Sequence, residues 1–363
     1  MDSSNKVYMI LTNGFDPDVR VYKEAKYLEN KGFDIEIICW DRKGDYVDRK
    51  EEVLDGIKIK RFCILSKPGS GMKQLIPFMK FIKSVRKYLE NNDYSYLHCH
   101  DFDGMMVGSF TKGKKDKTII FDMHEIYKNY SYAKNHVFDW IFNKYLKKSK
   151  YIIYVNDEQI KDMKNTLKGK MVFLPNYPEE KIYISIKKNL SNKTRVNYIG
   201  SLRDYKSLDT LSKIGVRDEN LKIGLYGMGV CYEKLYEMYK NTNVEIYGKY
   251  DGIKDSGEIY RNTDILYCSY NPEVKNWKTA YPVKLFESII TLTPIIVSED
   301  TEVSNFVKAN AIGESIQYGN EDSIINAINK IKTHYEEYVE NIKKIANDYK
   351  WEKIVRNLDR IYK

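Results

Sequence analysis

The sequence predicts an α/β protein built from two doubly wound parallel-sheet domains, and three observations carry that expectation. Its 363 residues exceed one comfortable hydrophobic core. Short apolar runs alternate with helical stretches in two successive blocks, a pattern that requires parallel strands joined by crossover helices. A polar, lysine-rich stretch at 179–194 separates the blocks and reads as a linker. No fixed-period repeat is present, which excludes a solenoid.

In the first block, KVYMILT is the opening strand and NGFDPD its loop, followed by a helix over Val19–Asn30. Asp16 and Pro17 suit its N-cap and first turn, and Gly32 suits its C-terminal stop. DIEIICW and IKIKRFCI are further strands, an amphipathic helix covers Gln74 to Glu90, and SYLHCHD and TIIFDMHE end two strands in polar clusters. YIIYVND and MVFLPN complete a first domain over 1–178. The second block, 195–345, repeats the logic with VNYIGSL, LKIGLYGMG, VEIYGKY, DILYCSY and TPIIVS. In the last segment, 346–363, Trp351, Ile354, Val355, Leu358 and Ile361 fall at helical spacing and supply one buried face.

Composition excludes several classes. No apolar run is long enough to span a bilayer, and the N-terminal apolar segment lacks a basic flank and cleavage site, so a cytosolic location is expected. Cys39, Cys63, Cys99, Cys231 and Cys268 are odd in number and form no CxxC pair, which argues against a disulfide framework or zinc site. The net charge of +9 suits phosphate-bearing partners without choosing among nucleic acid, lipid and nucleotide sugar. No nucleic-acid-binding signature is present, and genomic bias toward Lys, Asn, Ile and Tyr also accounts for the charge.

One phrase carries the most chemistry. PVKLFESIITLTPIIVS places Glu287 early in a short helix just before a buried strand. A carboxylate there faces the strand-end crevice where α/β domains bind ligands, and it can accept two hydrogen bonds from ribose hydroxyls. A surface glutamate favoured by the helix dipole is the plainer reading. Upstream, Gly200, Ser201, Arg203 and Lys206 follow the first strand of the second block, and Gly227 follows the second. Two basic residues in such a loop can stabilise charge developing on a leaving diphosphate, or they can be a solvated loop.

The segment Tyr281–Ser298 resembles the donor-binding K-x-x-E…P-x-I stretch of GT-B glycosyltransferases in the large retaining family numbered four, with Lys284, Glu287, Pro294 and Ile296 in place. The resemblance extends over nearly the whole chain. It implies two Rossmann-like domains facing across a cleft, with donor in the second domain, acceptor in the first, and a terminal helix crossing back to the first. It further implies that Glu287 binds ribose, that Lys284 lies near the phosphates or sugar, and that Gly200, Arg203 and Lys206 serve the diphosphate, with Gly14 approaching it through its backbone amide. The donor would be a UDP- or GDP-sugar used as substrate; no cofactor or metal is implied. Two departures stand out: Thr279 occupies the position of a second family glutamate near the donor sugar, and Leu292 replaces a helix-ending glycine. The latter predicts a different helix end, because a non-glycine residue in a left-handed cap costs roughly 1 kcal/mol.

In the first block, His98, His100, Asp101, Asp122, His124 and Glu125 cluster at two strand ends. Alternation places His98 and His100 on one face. A metal is the rival reading, but no ligand spacing is satisfied. The resemblance implies that His100 faces the donor sugar and that His124 and Glu125, with Asp101 nearby, shape the acceptor cleft; His98 reads as a core histidine. Asp16 and Arg20 fit a family D-P-x-V-R phrase, with Arg20 pairing Asp16 or meeting acceptor phosphate.

The helix after Lys73 aligns Ile76, Met79, Ile82, Val85 and Leu89, with Lys73, Lys80, Lys83, Arg86 and Lys87 beside them. Such a stripe either covers the first sheet or meets an anionic membrane surface. A retaining transferase acting on a glycan or lipid-linked acceptor is the expected function. A non-hydrolysing nucleotide-sugar epimerase and a non-catalytic nucleotide- or glycan-binding subunit are the alternatives.

Overall fold

In the computed structural model the described residues are 5–363 except 17, 68–70, 112–116, 130–135, 162, 164, 184–187 and 190. Pro17 and five positions of the expected linker thus lie outside the described residues. The chain forms two compact units, Met1–Pro175 with Val355–Lys363, and Asn176–Ile354. The expected linker is counted with the second unit, and the terminal segment divides after Ile354.

The first unit contains strands β1 (Lys6–Ile10), β2 (Asp34–Asp41), β3 (Glu51–Leu54), β4 (Ile57–Cys63), β5 (Tyr96–His100), β6 (Thr118–Met123), β7 (Tyr151–Tyr154) and β8 (Met171–Phe173). Their order is β3-β4-β2-β1-β5-β6-β7-β8. All pairings are parallel except β3 with β4. The chain therefore reverses direction across the sheet at β1 and β5, leaving a crevice beyond their carboxyl ends. The core joins Tyr8, Ile38, Trp40 and Phe81 to Phe121, Phe138 and Phe142.

The second unit contains β9 (Thr194–Ile199), β10 (Leu221–Tyr226), β11 (Val244–Gly248), β12 (Ile265–Cys268), β13 (Ile295–Ser298) and β14 (Gly313–Ile316). These form an all-parallel sheet in the order β11-β10-β9-β12-β13-β14, with its reversal at β9 and β12. Val196, Ile223, Ile265, Ile295 and Ile296 are fully buried, as a sheet covered on both faces requires.

Several local expectations change. The helix Val19–Asn30 is capped by Asp18, whose carboxylate accepts from the Val21 amide at 3.3 Å, and not by Asp16. The helix Val283–Ile290 ends in the left-handed cap that glycine normally fills, with Leu292 at φ 53°. Thr293 N–H donates to Ser288 O at 2.8 Å and Leu292 N–H to Ile289 O at 3.2 Å, the paired bonds of a Schellman ending. Those bonds, with Leu292 packed on the core, offset the backbone strain. In the helix Leu75–Glu90 the stripe splits: Ile82, Val85 and Leu89 are buried with Phe81, whereas Leu75, Ile76 and Met79 are exposed. The terminal segment is a short helix, Trp351–Ile354, followed by a 3-10 turn, Val355–Arg360. Trp351, Val355, Leu358 and Ile361 are buried as their spacing predicts, and Ile354 is half-buried.

Candidate functional site

At the carboxyl ends of β9 and β12, where the second sheet reverses, lies an open cleft of about 330 Å³. Ser201, Arg203 and Lys284 line it with Tyr198, Tyr270, Trp277, Ser298 and Thr301. Two glycines shape the loops beside it. Gly200 (φ 135°) and Gly227 (φ 127°) bring the loops after β9 and β10 together, and a Cβ on Gly227 would overlap the Gly200 carbonyl oxygen. A Cβ on Gly200 would lie 2.6 Å from Lys284 Cε, so glycine there leaves room for the lysine. Lys284 Nζ donates to the Tyr270 hydroxyl at 2.6 Å and stands 3.8 Å over the Tyr198 ring. Arg203 Nε donates to Ser201 Oγ at 2.8 Å.

Helices Val283–Ile290 and Glu302–Asn310 both begin beside this cleft, since Pro282, Lys284, Thr301 and Val303 line it. Unpaired N–H groups and the helix dipole make such ends favourable to anions. Together with Arg203 and Lys284 they form a cationic rim. No carboxylate lines the cleft among the described residues.

Glu287 lies one turn beyond Lys284 but does not line the cleft. Its Oε1 accepts from the Tyr183 hydroxyl at 3.0 Å and its Oε2 from the Tyr260 hydroxyl at 2.9 Å. Burial, then Glu287, holds both phenols well above their usual range. Lys206 is also outside the cleft, 5.0 Å over the Tyr318 ring.

The first unit gathers its polar residues around Asp122, which is fully buried. Arg20 Nη2 donates to Asp122 Oδ1 at 2.9 Å, Arg20 Nη1 to Leu174 O at 2.9 Å, and Arg20 Nε lies 3.1 Å from Glu24 Oε1. Arg20 is therefore engaged inside the unit and does not pair with Asp16. His124 is held between carboxylates, Nε2 3.1 Å from Asp122 Oδ2 and Nδ1 3.3 Å from Asp101 Oδ2. Burial favours its neutral form, but Asp101 and Asp122 outweigh that and hold its pKa well above the usual imidazole range. His100 behaves oppositely. Burial, then His98, push it down to about 3, so its ring is neutral.

His98 and His100 stack at 4.3 Å, confirming that they share a face. His100 Nδ1 faces His124 Nε2 at 3.2 Å, and His100 Nε2 has no hydrogen-bond partner. His98 Nδ1 meets the Tyr362 hydroxyl at 2.8 Å. Asp101 begins the helix after β5 in a left-handed conformation, φ 61°, strain of the kind that gathers at functional sites. Gly14 and Asp16 line a separate hollow of about 390 Å³ with Trp40, Arg42 and Tyr46. Burial, then Asp16, raise the Tyr46 phenol to about 12. Glu125 is exposed at the end of β6.

Over residues 18–177, less than half of its length, the chain matches the family described as Glycosyltransferase Family 4. No curated protein matches it in sequence. Its fold is similar to sucrose-phosphate synthase from Thermosynechococcus elongatus, with a TM-score of 0.77 at 14% identity over 98% of both chains. It is also similar to Anabaena Alr3699/HepE in complex with UDP-glucose, with a TM-score of 0.70 at 11% identity over 98% of both chains. The fold is of the GT-B type. A UDP-N-acetylglucosamine 2-epimerase shares it as well, with a TM-score of 0.64 at 10% identity over 97% of this chain and 94% of that one.

Within this GT-B chain, Glu24, His98, His100 and Asp122 offer ligand atoms within 4.8 Å of one another, a set capable of holding a metal ion. Arg20 supplies positive charge to Asp122, whereas Glu24 Oε1 and Oε2, His98 Nε2 and His100 Nε2 are buried with no hydrogen-bond partner. Sequence reasoning missed Glu24, Tyr270, Trp277 and the phenols around Glu287. Arg20 and Glu24 carried a signal, since charges at i and i+4 fall among the buried positions Val21, Ala25 and Leu28 of one helix. The tyrosines gave none, being lost among 32.

Proposed function

We propose that this protein is a retaining glycosyltransferase that moves a sugar from a UDP- or GDP-sugar to a hydroxyl of a glycan or lipid-linked acceptor in cell-surface polysaccharide or glycoconjugate synthesis. The observation that carries the reading is the cleft of the second unit, where Arg203, Lys284 and two helix N-termini converge with no carboxylate in the lining among the described residues. The match to Glycosyltransferase Family 4 and the UDP-glucose complex of a GT-B neighbour support it.

In the proposed reaction the bond from anomeric carbon to diphosphate oxygen breaks, and the acceptor oxygen bonds to the same face of that carbon. The acceptor proton passes to the departing diphosphate. Arg203 and Lys284 offset the charge developing on that leaving group, and preorganised donors of this kind lower the barrier. Lys206 is the second-rank cation, reaching the phosphates by swinging off Tyr318. Glu287, on the same helix one turn beyond Lys284, takes the ribose hydroxyls. His100, neutral and with a free Nε2, is the first-unit group assigned to the reacting sugars. Asp101, His124 and Glu125 are assigned to the acceptor side. A cytoplasmic protein meeting an anionic membrane at the exposed Leu75, Ile76 and Met79, beside Lys73, Lys80 and Lys83, completes the reading.

A thermal-shift panel of nucleotides and nucleotide sugars tests the first step, because a ligand of the native state raises its apparent stability. UDP or GDP and their sugars are expected to shift the midpoint, and mass analysis of products is expected to find transferred sugar. Isomerised sugar without transfer would establish the epimerase reading instead. No shift with any nucleotide would sink the proposal. Removing both ribose contacts by Glu287→Ala is expected to weaken nucleotide binding roughly 10- to 100-fold.

A further inference from the structure

The polar groups lining the second unit's cleft are unevenly spent. Ser298 Oγ donates to Tyr270 O at 2.6 Å and accepts from the Tyr270 amide at 3.0 Å. Thr301 Oγ1 donates to Ser298 O at 2.8 Å and accepts from the Ser304 amide at 3.1 Å. Ser201 Oγ accepts from Arg203, and the Tyr270 hydroxyl accepts from Lys284. Nearby carboxylates are engaged too: Asp204 accepts from the Asn271 amide at 3.0 Å and the Tyr318 hydroxyl at 2.7 Å, and Glu287 holds its two phenols. The remaining wall is apolar. Trp277 sits 5.5 Å from the Tyr270 ring, with Ala280, Pro282, Val297 and Val303 around them.

A fully hydroxylated hexose needs partners for each hydroxyl it buries, and an unpaired one costs about 1–3 kcal/mol. A methyl group on the same ring needs only apolar surface, which this wall offers. Resting on the proposed donor site, we infer that the cleft selects a nucleotide sugar bearing a methyl group, either 6-deoxy or N-acetamido, with Trp277 as the specificity-determining contact. Arg203 and Lys284 hold the diphosphate and the aromatic wall takes the methyl-bearing edge.

Calorimetric titration of base-matched ligands tests this: free UDP, UDP-glucose, UDP-6-deoxyglucose and UDP-N-acetylglucosamine, with GDP, GDP-mannose and GDP-6-deoxymannose as the second series. At least one methyl-bearing donor is expected to bind about 10- to 100-fold tighter than its parent hexose donor, the range that a hydroxyl placed in an apolar pocket costs. The arms separate the deoxy from the acetamido source. Trp277→Ala is expected to bring the pair within threefold, and Trp277→Phe to restore part of the preference. Equal or tighter binding of the parent hexose, or a preference unchanged in Trp277→Ala, overturns the inference while leaving the donor-site reading intact. Failure of UDP, GDP and every sugar to bind overturns that reading, and this inference with it.

Discussion

Asp122 takes contacts from Arg20, His100 and His124 on a single carboxylate with no exposure to solvent. Removing its charge leaves the Arg20 guanidinium buried beside Glu24 alone. Breaking one side of such a buried pair costs on the order of 3–5 kcal/mol. Asp122→Asn, which keeps the shape, is therefore expected to lower the unfolding free energy by about that amount in urea titration, and a loss under 1 kcal/mol would count against the cluster's role.

Glu24 gives a pH test of the same cluster. Burial first, then Asp122, raise its carboxyl from 4.5 to about 8. The folded chain thus holds a proton that the unfolded chain releases above 4.5, so this group's contribution to stability falls as pH rises from about 4.5 to about 8. His98 and His100, both depressed, act in the opposite sense near pH 6, which is why the comparison must be between variant and parent. In Glu24→Gln the decline between pH 5 and 8 is expected to flatten; an unchanged slope would mean the carboxyl is ionised in the folded chain. Histidines at strand ends were legible as a group, because parallel strands gather function there. Their partners were not, since pairings such as Arg20 with Asp122 span 102 positions and no local pattern encodes them.

At the scale of elements, alternation of apolar runs found 12 of the strands and missed β3 and β14. β3 was signalled by Asp55-Gly56, whose positive φ values of 50° and 87° make the two-residue turn joining β3 to β4. β14, GESI, has a single strongly apolar residue and depends on pairing with β13. Among the described residues, two helix ends carry non-glycine residues in left-handed caps. Leu292 repays its strain by packing, but Ala311 (φ 48°) is exposed and ends the helix Glu302–Asn310 with nothing but a methyl group. Ala311→Gly is therefore expected to stabilise the protein by about 1 kcal/mol, read as a higher urea midpoint at unchanged slope. The same substitution at Leu292 is expected to gain less or to lose, because it deletes a side chain packed on the core. A larger gain at Leu292 than at Ala311 would overturn that ordering.

For the molecule as a whole, the return of the chain's last nine residues to the first unit is the feature that most ties sequence ends to site. Val355–Lys363 belongs with Met1–Pro175. Val355, Leu358, Ile361 and Tyr362 are all buried, and Tyr362 reaches His98 at the centre of the polar cluster. Asn357 donates to Phe173 O at 2.9 Å, and Asp359 accepts from the Tyr27 hydroxyl at 2.7 Å. Four apolar side chains at roughly 1.5–3 kcal/mol each amount to more than about 5 kcal/mol, comparable with the whole stability of a typical domain. Deleting 355–363 is expected to leave the first unit largely unfolded at 25 °C, seen as loss of amide-exchange protection in β1, β5 and β6. The second unit, Asn176–Ile354, keeps its own cores and is expected to retain protection in β9 and β12 and the same affinity for free nucleotide. Tyr362→Phe separates packing from hydrogen bonding: the ring stays against Phe33 and Tyr96, so protection is expected to persist while the His98 imidazole nitrogen resonances shift. Full protection of the first unit after the deletion would show that its sheet and helices close the core without the returning chain.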